Sequence, residues 1–391
     1  MTLLLIRNVE VFAPAAIGRR DLLLGGGRIL AMQPHLRVGL DTKVIEGDGS
    51  ILCPGLVDSL VHLSGGGGEG GFATRTVALQ GGEALRAGTT TMVGALGTDD
   101  VSRSLPDLLA CARALAARGL SAYALTGSYR VPVRTITGSV RDDLVLIPDF
   151  IGVGEIAIAD HRGSQPCADE LARIAADARV GGMLAGKAGT VLVHVGDAPE
   201  GLALLHAVSD RYPLPASQWH PTHMNRHRQL LDQAPAWVAR GGSVDLTTST
   251  TPALIEAGDL PAAQALAELL DAGVPVERIS MSSDGQASLP HFDGAGRLLS
   301  LEVASLRSLL EAVVQAVHTH HLDLATALAS ATSSPASIWG LPRKGTVAVG
   351  ADADLLMLHP DTLALQMTIA SGSVHDFRMP AGSGVESLTA A

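Results

Sequence analysis

Hydrophobic positions divide the chain into three stretches of different rhythm. Over residues 2–53, short β-like runs at 3–12, 21–24, 28–32 and 43–45 are separated by Gly, Asn and Asp turns and carry little helical spacing. The tail from Lys344 repeats this style, with strand-like runs at 345–350, 353–358, 363–369 and 372–377. Between the ends, eight apolar β-rich runs occur at 55–63, 89–97, 121–129, 150–158, 189–196, 218–223, 243–249 and 278–284. They alternate with Ala- and Leu-rich stretches at helical spacing, among them 104–117, 168–178, 262–272 and 301–318.

Eight β/α units predict an α/β fold: a TIM (β/α)8 barrel over 54–343, with a small β-sandwich-like domain formed by both chain ends, 1–53 plus 344–391. A length of 391 residues suits one large barrel with a small accessory unit. Periodicity alone leaves two alternatives open. A doubly wound open sheet would alternate in the same way, and the two ends could form separate β-appendages.

The polar residues at the ends of the runs favour the barrel. His62 closes the first run, Tyr129 the third, and Glu155 lies late in the fourth; His194 falls in the fifth, His223 closes the sixth and Asp284 the eighth. In a (β/α)8 barrel the C-terminal ends of the strands form the active-site face. A single strand histidine is more often packed or hydrogen-bonded than ligating. Three imidazoles and two carboxylates at one barrel mouth, however, match the needs of a divalent, borderline-soft metal such as zinc. His318, His320 and His321 mimic a ligand motif but end a long helical run, which reads as a solvated helix terminus.

Composition narrows the partners. A formal net charge of −11 without a compensating basic stripe argues against nucleic acid. The apolar start, Leu3 to Ile6, is interrupted by Arg7, Asn8 and Glu10 before it could act as a signal or span a bilayer, so a soluble, cytoplasmic protein without a membrane partner is expected. Cys53, Cys111 and Cys167 are scattered, with no CxxC pair, and read as reduced, packed thiols.

Several segments carry a resemblance. They include Cys53-Pro54-Gly55-Leu56-Val57-Asp58, the Gly-rich Leu63-Ser64-Gly65-Gly66-Gly67-Gly68-Glu69, and Thr126-Gly127-Ser128-Tyr129 followed by 134–140. Further ones are Asp160-His161-Arg162, His194-Val195-Gly196-Asp197, Pro221-Thr222-His223-Met224-Asn225-Arg226, Ser282-Ser283-Asp284-Gly285 and the terminal 344–355. On these residues the chain resembles the isoaspartyl (β-aspartyl) dipeptidases of the amidohydrolase superfamily over essentially its whole length. The terminal segment is shared across the superfamily; the Gly-rich loop with Glu69 and the Tyr129 segment are more specific.

The resemblance implies a binuclear metal site, with one ion held by a His-x-His pair on the first strand and an aspartate on the last. Histidines on strands five and six hold the other, and a carboxylate bridges the two. His62, Glu155, His194, His223 and Asp284 are the implied ligands, for Zn2+ at one or two per chain, with Co2+ or Mn2+ as alternatives. Two positions depart from the family. Glu155 stands where the best-known members carry a carbamylated lysine, and it supplies an equivalent two-oxygen, singly negative bridge. Leu60 stands where the first histidine of the pair belongs, and an isobutyl group cannot ligate. A strong site at His194, His223 and Glu155 is therefore expected, beside a weak or empty one at His62 and Asp284. Lys187 precedes the fifth run and belongs to the opposite barrel end.

The resemblance further implies hydrolysis of the isopeptide bond of β-aspartyl dipeptides by a metal-activated water. Asp284 would move the proton, and Tyr129 would face the oxyanion. Tyr129 could otherwise be a packed aromatic with a backbone partner. Arg162 and Arg226 would take carboxylates, unless they serve as loop ion pairs with Asp160 or Asp197. Glu69 would hold an ammonium, unless it is a solvated loop residue; Thr98 and Ser288 align near the substrate. Two cation pockets and one anion pocket suit a small zwitterionic dipeptide. Two other functions stay open: a catalytically impaired or single-metal relative with a binding or structural role, and a hydrolase of another N-acyl amino acid or cyclic amide. A homo-oligomer is implied, with an octamer as one form.

Overall fold

In the computed structural model, residues 3–39, 42–292 and 297–378 are described; the rest of the tail that the sequence assigns to the small β-domain, 379–391, lies outside the described residues. The eight apolar runs are eight strands: Leu56–Val61, Thr89–Gly94, Ser121–Thr126, Phe150–Ile158, Thr190–Val195, Trp219–Thr222, Val244–Thr247 and Ile279–Ser282. The first six form one parallel sheet in chain order, and the last two pair in parallel with each other. Hydrogen bonds from Met224 N to Asp245 O (3.1 Å) and from His62 N to Gly285 O (2.8 Å) join the two sheets at both seams. This ring is the TIM barrel, and it excludes the open doubly wound sheet.

Inside the ring, Val57, Leu60, Val93, Leu125, Ile151 and Leu192 form a buried apolar cluster with Trp339 and Leu341. Trp339 donates its indole N–H to Ser59 Oγ (3.1 Å). The interior is thus a packed core, as barrels of this size require. The surrounding helices follow from local signals. Leu105–Ala116 begins with Ser104 Oγ accepting from Asp107 N, and buries Leu105, Leu108, Leu109, Ala112 and Leu115 at helical spacing. Ala168–Ala185 stops at Gly186, whose φ of 66° is the left-handed conformation favoured by glycine.

The two chain ends share one eight-stranded sheet. Leu3–Phe12 pairs with Ala16–Gly25, with Thr42–Glu46 and with Ile51–Pro54; Ile51–Pro54 pairs antiparallel with Leu355–Leu358, which continues into Leu365–Ala370 and Ser373–Asp376. Two sequence expectations need correction. Residues 345–350 are not a strand: Gly345 and Gly350 both take left-handed φ values, and a Cβ on Gly345 would collide with the Thr332 carbonyl. The helix expected over 301–318 starts only at Arg307, because Leu298–Val303 forms a strand pairing antiparallel with Ser288–Phe292. Ala304 and Leu306, both buried, anchor the turn between this hairpin and the helix.

Candidate active site

The strand ends deliver five ionisable side chains to one point. Glu155 reaches it through a bulge: between Val153 and Ile156 the strand Phe150–Ile158 carries one residue more than the stretch Val191 to Val193 beside it. Gly154 at the bulge has φ of 149°, and a Cβ there would press within 2.8 Å of Leu192. His223 and Asp284 each follow their strand in the left-handed region, at φ of 63° and 51°, which turns both back over the mouth.

Three imidazoles face the Glu155 carboxylate. His194 Nδ1 lies 3.4 Å and His223 Nε2 3.5 Å from Oε2, and His62 Nε2 is 3.9 Å from Oε1. The outward nitrogen of each ring is held separately: His62 Nδ1 lies 3.2 Å from the Ala95 carbonyl, His194 Nε2 2.8 Å from Asp160 Oδ2, and His223 Nδ1 2.6 Å from Thr247 Oγ1. Such outer partners fix the ring orientation of metal-ligating histidines. Glu155, His194 and His223 are all buried, and their donor atoms lie close enough together to share one ion. His62 instead sits 3.1 Å from Asp284 Oδ1.

Burial pushes the Glu155 carboxyl up, but the His194 and His223 imidazoles outweigh it and hold the group below the usual carboxylate range. Burial lowers His223 to about 4, keeping its ring neutral at pH 7. Burial also works to lower His62, yet Asp284 and Glu155 prevail and raise it to about 9. Both oxygens of Glu155 and Oδ1 of Asp284 are buried and have no hydrogen-bond partner among the described residues. Unsatisfied buried carboxylate oxygens are costly, and their coincidence with three inward-facing imidazole nitrogens fits a divalent cation.

Above this floor opens a cavity of about 670 Å³, lined by His62, Glu69, Tyr129, Arg162, His194, His223, Arg226, Asp284 and Ser288. Tyr129 Oη lies 2.7 Å from His194 Nδ1, and the Arg162 guanidinium stacks 5.6 Å from the Tyr129 ring centroid. Arg162 forks onto Asp160, with Nε to Oδ1 at 3.0 Å and Nη2 to Oδ2 at 2.6 Å, while its Nη1 is 3.9 Å from Glu69 Oε1. Thr98 donates to Glu69 Oε1 at 2.6 Å, and Arg226 Nη1 is 3.4 Å from Asp197 Oδ1. The loop ion pairs weighed for both arginines are thus present, and both side chains still line the cavity. Ser288 Oγ is buried and has no hydrogen-bond partner among the described residues.

Chain and family meet at this geometry. Residues 221–377 match the amidohydrolase family. The chain is similar to the β-aspartyl dipeptidase of the thermophilic, keratin-degrading Fervidobacterium islandicum AW-1 in its complex with β-Asp-Leu. Identity is 39% over 95% of this chain and 96% of that one, with a TM-score of 0.89. A second structure of a β-aspartyl dipeptidase from the same organism is 37% identical over the same shares, with a TM-score of 0.87. This chain belongs to the β-aspartyl dipeptidase family of the amidohydrolase superfamily. The dihydroorotase of Lactiplantibacillus plantarum is more distant, at 26% identity over 91% of this chain and 89% of its own.

Amidohydrolases typically bind metals, and the Glu155, His194 and His223 group is one that could hold an ion. Leu60 makes no contribution to it: the residue is fully buried in the apolar cluster inside the barrel. Lys187 is spent elsewhere, donating to the Leu144 and Ile147 carbonyls at 2.6 and 2.7 Å. Sequence reasoning gave no role to Thr247 or Arg103, and to Asp160 only that of an ion-pair partner of Arg162. Asp160 stood within a quoted motif, but Thr247 and Arg103 act on partners far away in the chain. Arg103 is buried and donates to the carbonyls of Ser64, Gly66 and Thr76, strapping the Gly-rich loop that leads to Glu69.

Proposed function

We infer that the protein hydrolyses the isopeptide bond of β-aspartyl dipeptides with a divalent metal, zinc before cobalt or manganese. The observation that carries this reading is the unpartnered Glu155 carboxylate between His194 and His223, beneath a cavity ringed by Arg162, Arg226 and Glu69. Glu155, His194 and His223 would hold the tighter ion, with His62 and Asp284 forming a weaker half-site. A bound ion supplies Lewis acidity, which brings the pKa of a water from about 15.7 toward roughly 7.

The remaining work falls to the chain. Asp284 holds the proton taken from water and returns it to the departing amine. Tyr129 donates its hydroxyl to the developing oxyanion. The guanidiniums of Arg162 and Arg226 take the two substrate carboxylates, Glu69 takes the free ammonium with Thr98 fixing its carboxylate, and Ser288 offers its free hydroxyl to the substrate backbone. The same reading describes a cytoplasmic homo-oligomer with its barrel in 54–343 and its small β-domain in 1–53 and 344–391.

The test is release of free aspartate from β-Asp-Leu by protein supplied in turn with zinc, cobalt and manganese, with α-Asp-Leu as control. Turnover of the β-linked peptide alone is expected, and intact β-Asp-Leu under all three metals overturns the reading. Leu60 is the observation favouring the second reading, an impaired or single-metal relative. That reading predicts bound metal and bound dipeptide without turnover.

A further inference from the structure

We propose that Asp160 is a shared positioning residue, one buried carboxylate that sets the ring of His194 and the fork of Arg162 together. Four donors converge on it. Oδ1 accepts from Arg162 N at 2.8 Å and Arg162 Nε at 3.0 Å; Oδ2 accepts from Arg162 Nη2 at 2.6 Å and faces His194 Nε2 at 2.8 Å. Only 5% of the residue is exposed, so water does not compete for these oxygens.

The contacts fix a tautomer. Arg162 Nη2 also lies 3.2 Å from His194 Nε2, and a guanidinium nitrogen offers no lone pair. That approach is two donors meeting over one oxygen, with the histidine proton on Nε2 and directed at Asp160. Nδ1 is left with its lone pair toward Glu155 and the Tyr129 hydroxyl. A histidine that ligates through one nitrogen needs this arrangement at the other.

The second consequence follows from sharing. The carboxylate that aims the His194 lone pair also holds the Arg162 side chain beneath Glu69 and over the Tyr129 ring. An amide at 160 cannot serve both partners, since its nitrogen would point a donor at a donor. The metal half of this inference rests on the ligand set proposed above, and the Arg162 half on the proposed substrate.

The test compares wild type, Asp160→Asn and Arg162→Lys in two measurements: cobalt affinity by competition with a chromogenic chelator, and KM for β-Asp-Leu with cobalt saturating. Asp160→Asn is expected to weaken cobalt binding about 10–100-fold and to raise KM roughly tenfold or more. It should also change the visible spectrum of the cobalt protein. Arg162→Lys is expected to raise KM while keeping cobalt affinity within about twofold of wild type.

Cobalt affinity unchanged in Asp160→Asn overturns the His194 role. Weakened cobalt binding with unchanged KM overturns the sharing. Equal cobalt loss in Arg162→Lys overturns both, because the loop rather than the carboxylate would then hold the ring. If Asp160→Asn does not fold, Asp160→Glu is read on the same two scales, with smaller losses expected on each. A wild type that binds cobalt yet leaves β-Asp-Leu intact overturns the substrate reading and the Arg162 half with it, and the cobalt ratio still decides the His194 half.

Discussion

His62 Nε2 stands 3.1 Å from Asp284 Oδ1, an ion-pair contact that leaves the carboxylate oxygen without a hydrogen bond. Two residues earlier, Leu60 is fully buried among Val57, Val93 and Leu125. Leu60→His is therefore expected to lower stability in chelator by about 1–3 kcal/mol, the cost of an unpaired imidazole in an apolar core. With zinc, metal content should rise above that of the parent chain. Elemental analysis and thermal melts with and without chelator check both, and an unchanged metal count would show that the leucine pocket does not admit a ligand.

Glu155→Gln separates the charge of the proposed bridge from its shape. The variant is expected to lose tight metal binding, so the stabilisation that a saturating ion gives, about 4 kcal/mol at a thousand times Kd, should vanish. In chelator it should also melt below wild type, because the amide gives up the attraction of His194, His223 and His62, which outweighs the burial cost of the Glu155 charge. A melting temperature at or above that of wild type in chelator would count against this account.

Much of this architecture is legible in the sequence, because a strand's existence depends on local alternation. All eight barrel strands lie within their apolar runs, and the helices over 105–116 and 168–185 announce themselves by caps and spacing. Residues 345–350 mislead for a physical reason: the run Thr346-Val347-Ala348-Val349 is apolar enough for a strand, but the flanking glycines turn it into a loop. The hairpin beside the cavity mouth is hidden because Leu298–Val303 has an apolar content that equally suits a helix. At the site, residue types and chain order suggest His62, Glu155, His194, His223 and Asp284, whereas the outer partners do not show. Thr247 lies 24 residues from His223, and Asp160 lies 34 from His194, spacings that carry no periodic signal.

Asp245 gives a pH prediction. Burial raises its carboxyl to about 7, although Ser280, Ser282 and Thr222 donate to it. Its folded pKa lies above the ordinary 3.8, so its contribution is complete below about pH 4 and is lost as pH rises through 7. Wild type minus Asp245→Asn, measured by urea unfolding at pH 5 and pH 8, should change by on the order of 2 kcal/mol in that direction. The neighbouring hydroxyls can turn to accept from the amide. A pH-independent difference would place the proton elsewhere.

Arg103 tests the Gly-rich loop. Its guanidinium satisfies three carbonyls from Ser64, Gly66 and Thr76. Arg103→Met should cost on the order of 3 kcal/mol in urea unfolding, since buried acceptors lose their donors. It should also raise KM for β-Asp-Leu more than it lowers kcat, because Glu69 follows the strapped segment. Equal KM values would detach the loop from substrate binding.

The sheet that joins the chain ends also sets an order of events during synthesis. Ile51–Pro54 leads directly into the strand before His62, yet its antiparallel neighbour is Leu355–Leu358, some three hundred residues later. One edge of Ile51–Pro54 therefore stays unpaired while the ribosome makes the whole barrel. Long-range pairing of this kind is slow and leaves edges open to wrong partners. The strand that leads into the one presenting His62 is thus secured only after the whole barrel has been made, so the nascent chain stays open to misassociation throughout that interval.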